Sequence, residues 1–391
     1  MGSQSEVGEP GQPHDAGAER VETVIVGGGQ AGLAVGYHLA RHGRPFVILD
    51  ADERIGDAWR RRWDSLRLFT PARYAGLPGW PFPAPAWSYP GKDDVADYLE
   101  AYAARFKFPV RGGVSVDGLT RVGDRYLVAA GDRRFEADHV VVASGAYRRP
   151  RIPDFAPELD PGIVQLQVGT YRNPSQLRAG GVLVVGAGNS GAEISFEAAG
   201  THQTWLSGRD TGHLPVRTGS GLDRLLTPPF WFFISRVLSV DTAIGRKARP
   251  KALTSIGPLE RVRPKELAAA GVERVPRTVG VRDGLPALED GRVMDVANVI
   301  WCTGLRPDFG WIDLPVFGQD GLPVHDRGIV GSEPGLYFVG LFFLSSLTSS
   351  LIGGVGKDAG HIADHIAAHA AARPGPTADP SLPADRRVTS R

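Results

Sequence analysis

The stretch TVIVGGGQAGLA (residues 23–34) returns later in the chain as VLVVGAGNSGAE (residues 182–193). Each is a short β-branched run followed at once by Gly-x-Gly-x-x-Gly and then by apolar spacing of helical period, which reads as strand, tight turn and helix. The three glycines have separate tasks. The first (Gly27, Gly186) permits the sharp turn, the second (Gly29, Gly188) lets backbone approach a pyrophosphate, and the third (Gly32, Gly191) lets helix and strand pack closely. The helix that follows opens with Gln30 and Ala31 in one unit and with Asn189 and Ser190 in the other. Its unpaired N–H groups face the phosphates. Two such units in one chain predict two dinucleotide sites.

Working outward, LAVGYHLARHG continues the first helix to Gly43, and PFVILD supplies the next strand, ending at Asp50. A carboxylate there accepts hydrogen bonds from ribose hydroxyls. In the second unit AEISFEAAG reads as helix and THQTWLSGR as strand, and Arg209 falls as far from Gly186 as Asp50 does from Gly27. The aligned position has changed sign. A guanidinium suits a 2′-phosphate, and Ser207 adds a hydroxyl donor beside it. The alternative for Arg209 is a plain surface residue after a strand. The first site is thus expected to hold FAD and the second NADPH, because flavin accepts hydride and reacts onward.

Composition sets limits on the rest. With 391 residues, 42% hydrophobic and 22% charged, the chain has room for two or three domains at roughly 100–200 residues each. A net charge of +1 gives no reason to expect nucleic acid as a partner. The single cysteine, Cys302, excludes a Cys-x-x-Cys redox pair and with it dithiol–disulfide reduction. Residues 1–20 and 373–391 read as polar tails, without the pattern of a signal peptide. No apolar run is long enough to span a bilayer, so a cytoplasmic location without membrane partners is expected. Homo-oligomer formation is left open.

Further segments carry a resemblance. GDAWRRRWDSLRLFTP after Asp50, VVVASGAYRRPRIPDF, GNSGAE with SGR, and VIWCTGLRPD with GLYFVG occur in order. Together they resemble the flavin-containing monooxygenases over most of the chain, from about Val21 to Ala372. The resemblance implies an α/β fold with two Rossmann-like dinucleotide-binding domains, the NADPH domain (151–298) inserted into a discontinuous FAD domain (21–150 and 299–372). It implies Trp59, Leu68 and Thr70 at the flavin. It also implies a flavin C4a-hydroperoxide, made with dioxygen, that oxygenates a small substrate at nitrogen, sulfur or a carbonyl carbon. One position departs from the family. In VQLQVGTYRNPSQL, Gln167 stands where the family often carries a His, and Val168 and Gly169 stand where polar residues often sit. Gln167 and Asn189 are the candidate catalytic side chains. The departure keeps a second reading open, an NADPH oxidase or electron-transfer reductase without oxygen insertion. A redox sensor is a third class, and the intact second glycine motif speaks against it.

Four other patterns have two readings each. GLPGWPFPAPAW from Gly76 is either a rigid packing loop or a wall of the flavin or substrate site. Arg60 to Arg62 read as a solvated charge run, with help at the FAD pyrophosphate as the alternative. His361, His365 and His369 share one helical face. The adjacent Ile362 and Ile366 make an amphipathic helix the simpler account than metal binding. PPFWFFISRVLSV from Pro228 reads as a short buried helix covering the second domain, the alternative being a substrate- or partner-facing surface.

Overall fold

The structure, a computed structural model, describes residues 17–372 with the exception of 147 and 256. Both expected tails lie largely outside these residues, but Glu19 and Arg20 already belong to the first strand, Glu19–Val26.

Strand Glu19–Val26, helix Gln30–Arg41 and strand Phe46–Leu49 form the first unit, as the glycine pattern predicts. They sit in a seven-stranded sheet in which Glu19–Val26 pairs in parallel with Phe46–Leu49 on one side and with Arg133–Val142 on the other. Arg133–Val142 is shared. Its first half pairs antiparallel with Arg125–Ala130, and its end pairs in parallel with Leu336–Phe338. Both sheet faces are covered, so strand residues alternate between two cores instead of between core and water. Ile25 joins the core under helices Gln30–Arg41 and Val355–Ala372, while Val24 and Val26 join the core on the opposite face. Each buried side chain of this size contributes about 1.5–3 kcal/mol.

The second unit is strand Val182–Val185, helix Asn189–Ala198 and strand Thr204–Ser207. It lies in a separate five-stranded, all-parallel sheet with the order Glu273–Val275, Thr204–Ser207, Val182–Val185, Asn298–Trp301, Val164–Gln167. The α/β fold with an inserted second domain is therefore present. The return boundary expected at 299 is corrected, because Asn298–Trp301 is the central neighbour of Val182–Val185 and belongs to the second sheet. The chain crosses between sheets where Arg149–Pro150 pairs antiparallel with Leu305–Arg306. A short apolar strand looks the same in either sheet, and only its pairing tells them apart.

The proline-rich loop from Gly76 is a packing element. The Tyr98 hydroxyl accepts the Leu77 N–H and donates to the Trp80 carbonyl, both at 2.7 Å, and Leu77 and Phe82 lie in the first core. The arginine run is tied down more than a solvated run would be. Arg60 pairs with Asp57, Asp97 and Glu100, and Arg61 pairs with Asp52. The expected buried helix is corrected as well. Residues 228–237 are helical, but no residue of helix Gly221–Phe232 is buried.

Candidate active site

Both glycine turns lie at the carboxyl ends of their strands, the side on which open α/β sheets bind ligands. In the first, Gly27 takes φ +111° and its N–H donates to the Leu49 carbonyl at 2.8 Å. The next N–H, of Gly28, donates to Asp50 Oδ2 at 2.7 Å, and that of Asp52 donates to Oδ1 at 3.0 Å. Burial holds the Asp50 carboxyl above the usual range, and these two N–H groups oppose that shift. A Cβ on Gly32 would stand 2.0 Å from the Gly27 carbonyl oxygen, whereas one on Gly29 would meet nothing within 4 Å. The third glycine is filled by protein and the second faces open space. A dinucleotide pyrophosphate fits that arrangement.

The other first-site candidates separate into two groups. Thr70 lines the crevice described below, and Gln30 Nε2 reaches the carbonyl of Ser350, which lines it too, at 3.5 Å. Ala31 is buried beneath the turn. Trp59, on the short helix Asp57–Arg60, packs half-buried against the first core. Leu68 is a member of that core, its N–H donating to the Pro90 carbonyl at 2.8 Å. Leu68 holds the strand-like segment that presents Thr70.

The second turn repeats the first with a shift. The Gly186 N–H donates to the Ser207 carbonyl at 2.8 Å, as Gly27 does to Leu49. The structural counterpart of Asp50 is therefore Gly208, and Arg209 stands one residue beyond it. The helix is shorter here, Asn189–Ala198 against Gln30–Arg41, so equal counting along the chain overshoots. Gly208 packs on Ala187, where a Cβ would come to 3.0 Å, and no carboxylate caps this turn. Arg209 is exposed on the crevice wall and has no hydrogen-bond or ion-pair partner among the described residues. Arg277 lines the same wall. It follows strand Glu273–Val275, the neighbour of Thr204–Ser207, and sequence reading missed it because that pairing is not local.

Ser207 and Asn189 have different tasks from those expected. The buried Ser207 hydroxyl donates to the Pro276 carbonyl and accepts the Thr278 N–H, both at 2.9 Å, so it fixes the neighbouring loop. Asn189 lines the crevice, but its amide is engaged at both ends. Oδ1 accepts the Glu260 N–H at 2.9 Å, and Nδ2 donates to the Pro258 carbonyl at 3.2 Å. It positions residues 258–260 against the turn, as Ser190 and Gly191 begin the helix beside it. Gln167 ends the edge strand Val164–Gln167, and the crevice wall does not include it. Its Oε1 is buried without a hydrogen-bond partner among the described residues.

Glu260, missed from sequence, lines the crevice next to Asn189. Burial, with Glu193 nearby, pushes its carboxyl up to about 8. Burial likewise pushes Glu193, in the second turn of helix Asn189–Ala198, up to about 7, although Arg261 donates to it at 3.3 Å. A neutral carboxyl is compatible with bound phosphates where a carboxylate would repel them.

One crevice of about 1660 Å³ opens from the second turn toward the first domain; the first turn does not line it, and reaches its wall through the Gln30–Ser350 contact. Thr70, Ser350 and Leu351 come from the first domain, and Gly186, Ser190 and Arg209 from the second. The remaining wall is largely apolar, with Phe230, Trp231 and Phe342 among its rings. A family model described as pyridine nucleotide-disulphide oxidoreductase matches residues 24–211. An uncharacterized CzcO-like oxidoreductase of Geobacillus kaustophilus is 37% identical, over 87% of this chain and 96% of its own length. A probable indole-3-pyruvate monooxygenase of Arabidopsis thaliana, YUCCA3, is 32% identical and matches over 81% of each chain. The solved flavin-containing monooxygenase of Stenotrophomonas maltophilia is 28% identical, with a TM-score of 0.72, over 90% of this chain and 99% of that one.

The chain belongs to the flavin-containing monooxygenase family.

It is accordingly an oxidoreductase of the type that uses FAD and NADPH. The disulphide chemistry in the name of the matching family model needs a pair of thiols, and the chain has only Cys302. Burial pushes that thiol up to about 12, which leaves it unreactive at neutral pH. Among the described residues no helix is long and apolar enough to cross a membrane. His361, His365 and His369 lie on helix Val355–Ala372, where His365 Nδ1 and the Tyr337 hydroxyl are 3.1 Å apart. That contact gives His365 a packing partner across to strand Leu336–Phe338.

Proposed function

We propose that this flavin monooxygenase uses NADPH and dioxygen to oxygenate a small, largely apolar substrate at nitrogen, at sulfur or at a carbonyl carbon, in the cytoplasm. The supporting observation is the crevice that runs from the second glycine turn to Thr70, Ser350 and Leu351 of the first domain, with aromatic and aliphatic side chains along its wall. When bound, FAD supplies hydride acceptance and the reaction of reduced flavin with dioxygen. The chain's own residues bind, orient and exclude water. The Gly29 backbone and the start of helix Gln30–Arg41 receive the FAD pyrophosphate, and Arg209 with Arg277 receives the 2′-phosphate of NADPH. Asn189 fixes the 258–260 segment along the second nucleotide. Phe230, Trp231 and Phe342 keep water from the reacting centre, which favours oxygen transfer over release of hydrogen peroxide. Crevice residue Arg249 beside these rings suits a substrate with an aromatic group and a carboxylate, such as the 2-oxo acid in the name of YUCCA3.

The test is turnover of the FAD-loaded protein with NADPH and isotopically labelled dioxygen, against a thioether, a tertiary amine, a ketone and an aromatic 2-oxo acid. One labelled oxygen atom in a product, with NADPH consumed in proportion, supports the reading. Hydrogen peroxide without labelled product from every substrate would replace it with an NADPH oxidase, the alternative that Gln167 motivates.

A further inference from the structure

Helix Gly221–Phe232, the π-helical turn Phe233–Val237 and helix Ala243–Thr254 form a layer with two contrasting faces. The inner face closes the crevice. Thr227, Trp231 and Ile234 line it, and Trp231 stacks on Tyr74 of the first domain with ring centroids 4.9 Å apart. The outer face is apolar. Of the sixteen large hydrophobic side chains exposed among the described residues, eight lie in this one segment; Leu226, Phe230 and Leu253 line the crevice, and the other five are outside its wall. Leu225 is 70% exposed and Phe232 62% exposed, with Leu222, Phe233 and Ile244 around them. Scattered exposed leucines need no explanation, but a patch concentrated in one segment does.

Charge identifies what covers it. Arg224, Arg236, Lys247 and Lys251 are exposed in the same segment and have no ion pair among the described residues. Its two acids are already engaged. Asp223 accepts from the Tyr89 and Thr227 hydroxyls, and Asp241 pairs with Lys357 at 2.8 Å and Arg327 at 3.4 Å. A second copy docked by twofold symmetry would set these cations against themselves with no free carboxylate to answer them. An anionic lipid surface answers both features, with apolar side chains entering the acyl boundary and arginine and lysine at the headgroups.

We propose that residues 221–254 form a peripheral membrane-docking surface that seats the protein on anionic lipid, with the crevice directly behind the contact. A substrate dissolved in the bilayer then reaches the crevice without crossing bulk water. The docking surface stands independently of the reaction assigned above.

Co-sedimentation of the FAD-loaded full chain with vesicles of phosphatidylcholine, with and without phosphatidylglycerol, tests this. Binding is expected to the phosphatidylglycerol vesicles and to fall with added salt. Leu225→Glu and Phe232→Glu are each expected to lower the partition coefficient by about tenfold or more. Arg224→Glu with Lys251→Glu is expected to remove the preference for phosphatidylglycerol. An unchanged flavin spectrum shows that these surface variants fold. No sedimentation with either vesicle at low salt overturns the proposal, as does full binding by both glutamate variants of the apolar face. A dimer in sedimentation velocity that Phe232→Glu dissolves, without any vesicle binding, assigns the face to a second copy instead.

Discussion

Asp50 Oδ2 accepts the N–H of Gly28 at 2.7 Å, a link that joins the tip of the second strand to the glycine turn 22 residues earlier. The carboxylate thus shapes the turn before any ribose reaches it. Asp50→Ala removes a charge-assisted bond and leaves a buried N–H unpaired, a loss of about 1.5–3 kcal/mol. The expected outcome is a lower melting temperature together with loss of FAD on gel filtration. Asp50→Asn, which keeps an acceptor, retains more of both. A variant Asp50→Ala that keeps stoichiometric flavin and wild-type stability would remove the carboxylate from the site.

The glycines of the first turn separate folding from binding. At Gly29 the backbone is extended (φ −73°, ψ −174°) and open space faces the position, so Gly29→Val should fold and fail to hold FAD. At Gly32 a Cβ would collide with the Gly27 carbonyl, so Gly32→Ala should lose stability by about 1–3 kcal/mol or more whether or not flavin is present. Thermal melts of both variants with and without added FAD distinguish the two effects. Equal behaviour of the two would contradict the geometry.

The proposed preference for NADPH rests on Arg209, with Arg277 on the same crevice wall. Arg209→Ala should weaken NADPH roughly 10- to 150-fold and leave NADH almost unchanged, since charge-assisted bonds contribute about 1.5–3 kcal/mol. Arg277→Ala should act in the same direction. Ser207→Ala should instead lower the melting temperature without changing the NADPH to NADH ratio, because its hydroxyl is bound to Pro276 and Thr278. Steady-state kinetics with both nucleotides measure each ratio. Equal losses for the two nucleotides in Arg209→Ala would make that residue a support of the fold.

The Glu193 and Glu260 pair ties stability to pH. Both carboxyls lie above the ordinary value of 4.5, at about 7 and about 8. As pH rises past 4.5 the unfolded chain releases these protons before the native chain does. Their contribution to stability is therefore whole below 4.5, declines through 7 and 8, and is level above. Glu260→Gln should flatten the upper part of that decline, by roughly 2–4 °C or more between neutral and alkaline pH. Melting curves of the wild type and the variant across this range are the measurement. Parallel curves would show that Glu260 ionises as an ordinary carboxylate.

The sequence by itself determined the two glycine turns and the strands and helices around them. These are local matters. A β-branched run, a Gly-x-Gly-x-x-Gly turn and a helical period act within about 30 residues of chain, and each can be read where it stands. Only the tertiary structure decided who partners whom. Asn298–Trp301 could belong to either sheet until it paired with Val182–Val185. Ser207 and Asn189 read as ligand groups until residues some 70 positions away engaged them. Arg209 moved one residue out of register with Asp50 because two helices differ in length. Helix Gly221–Phe232 has the apolar content of a core helix and no core to enter. Hydrogen-bond capacity and apolar area are properties of residues, but whether they are satisfied by protein, by ligand or by nothing depends on contacts between distant parts of the chain, and those exist only once it has folded.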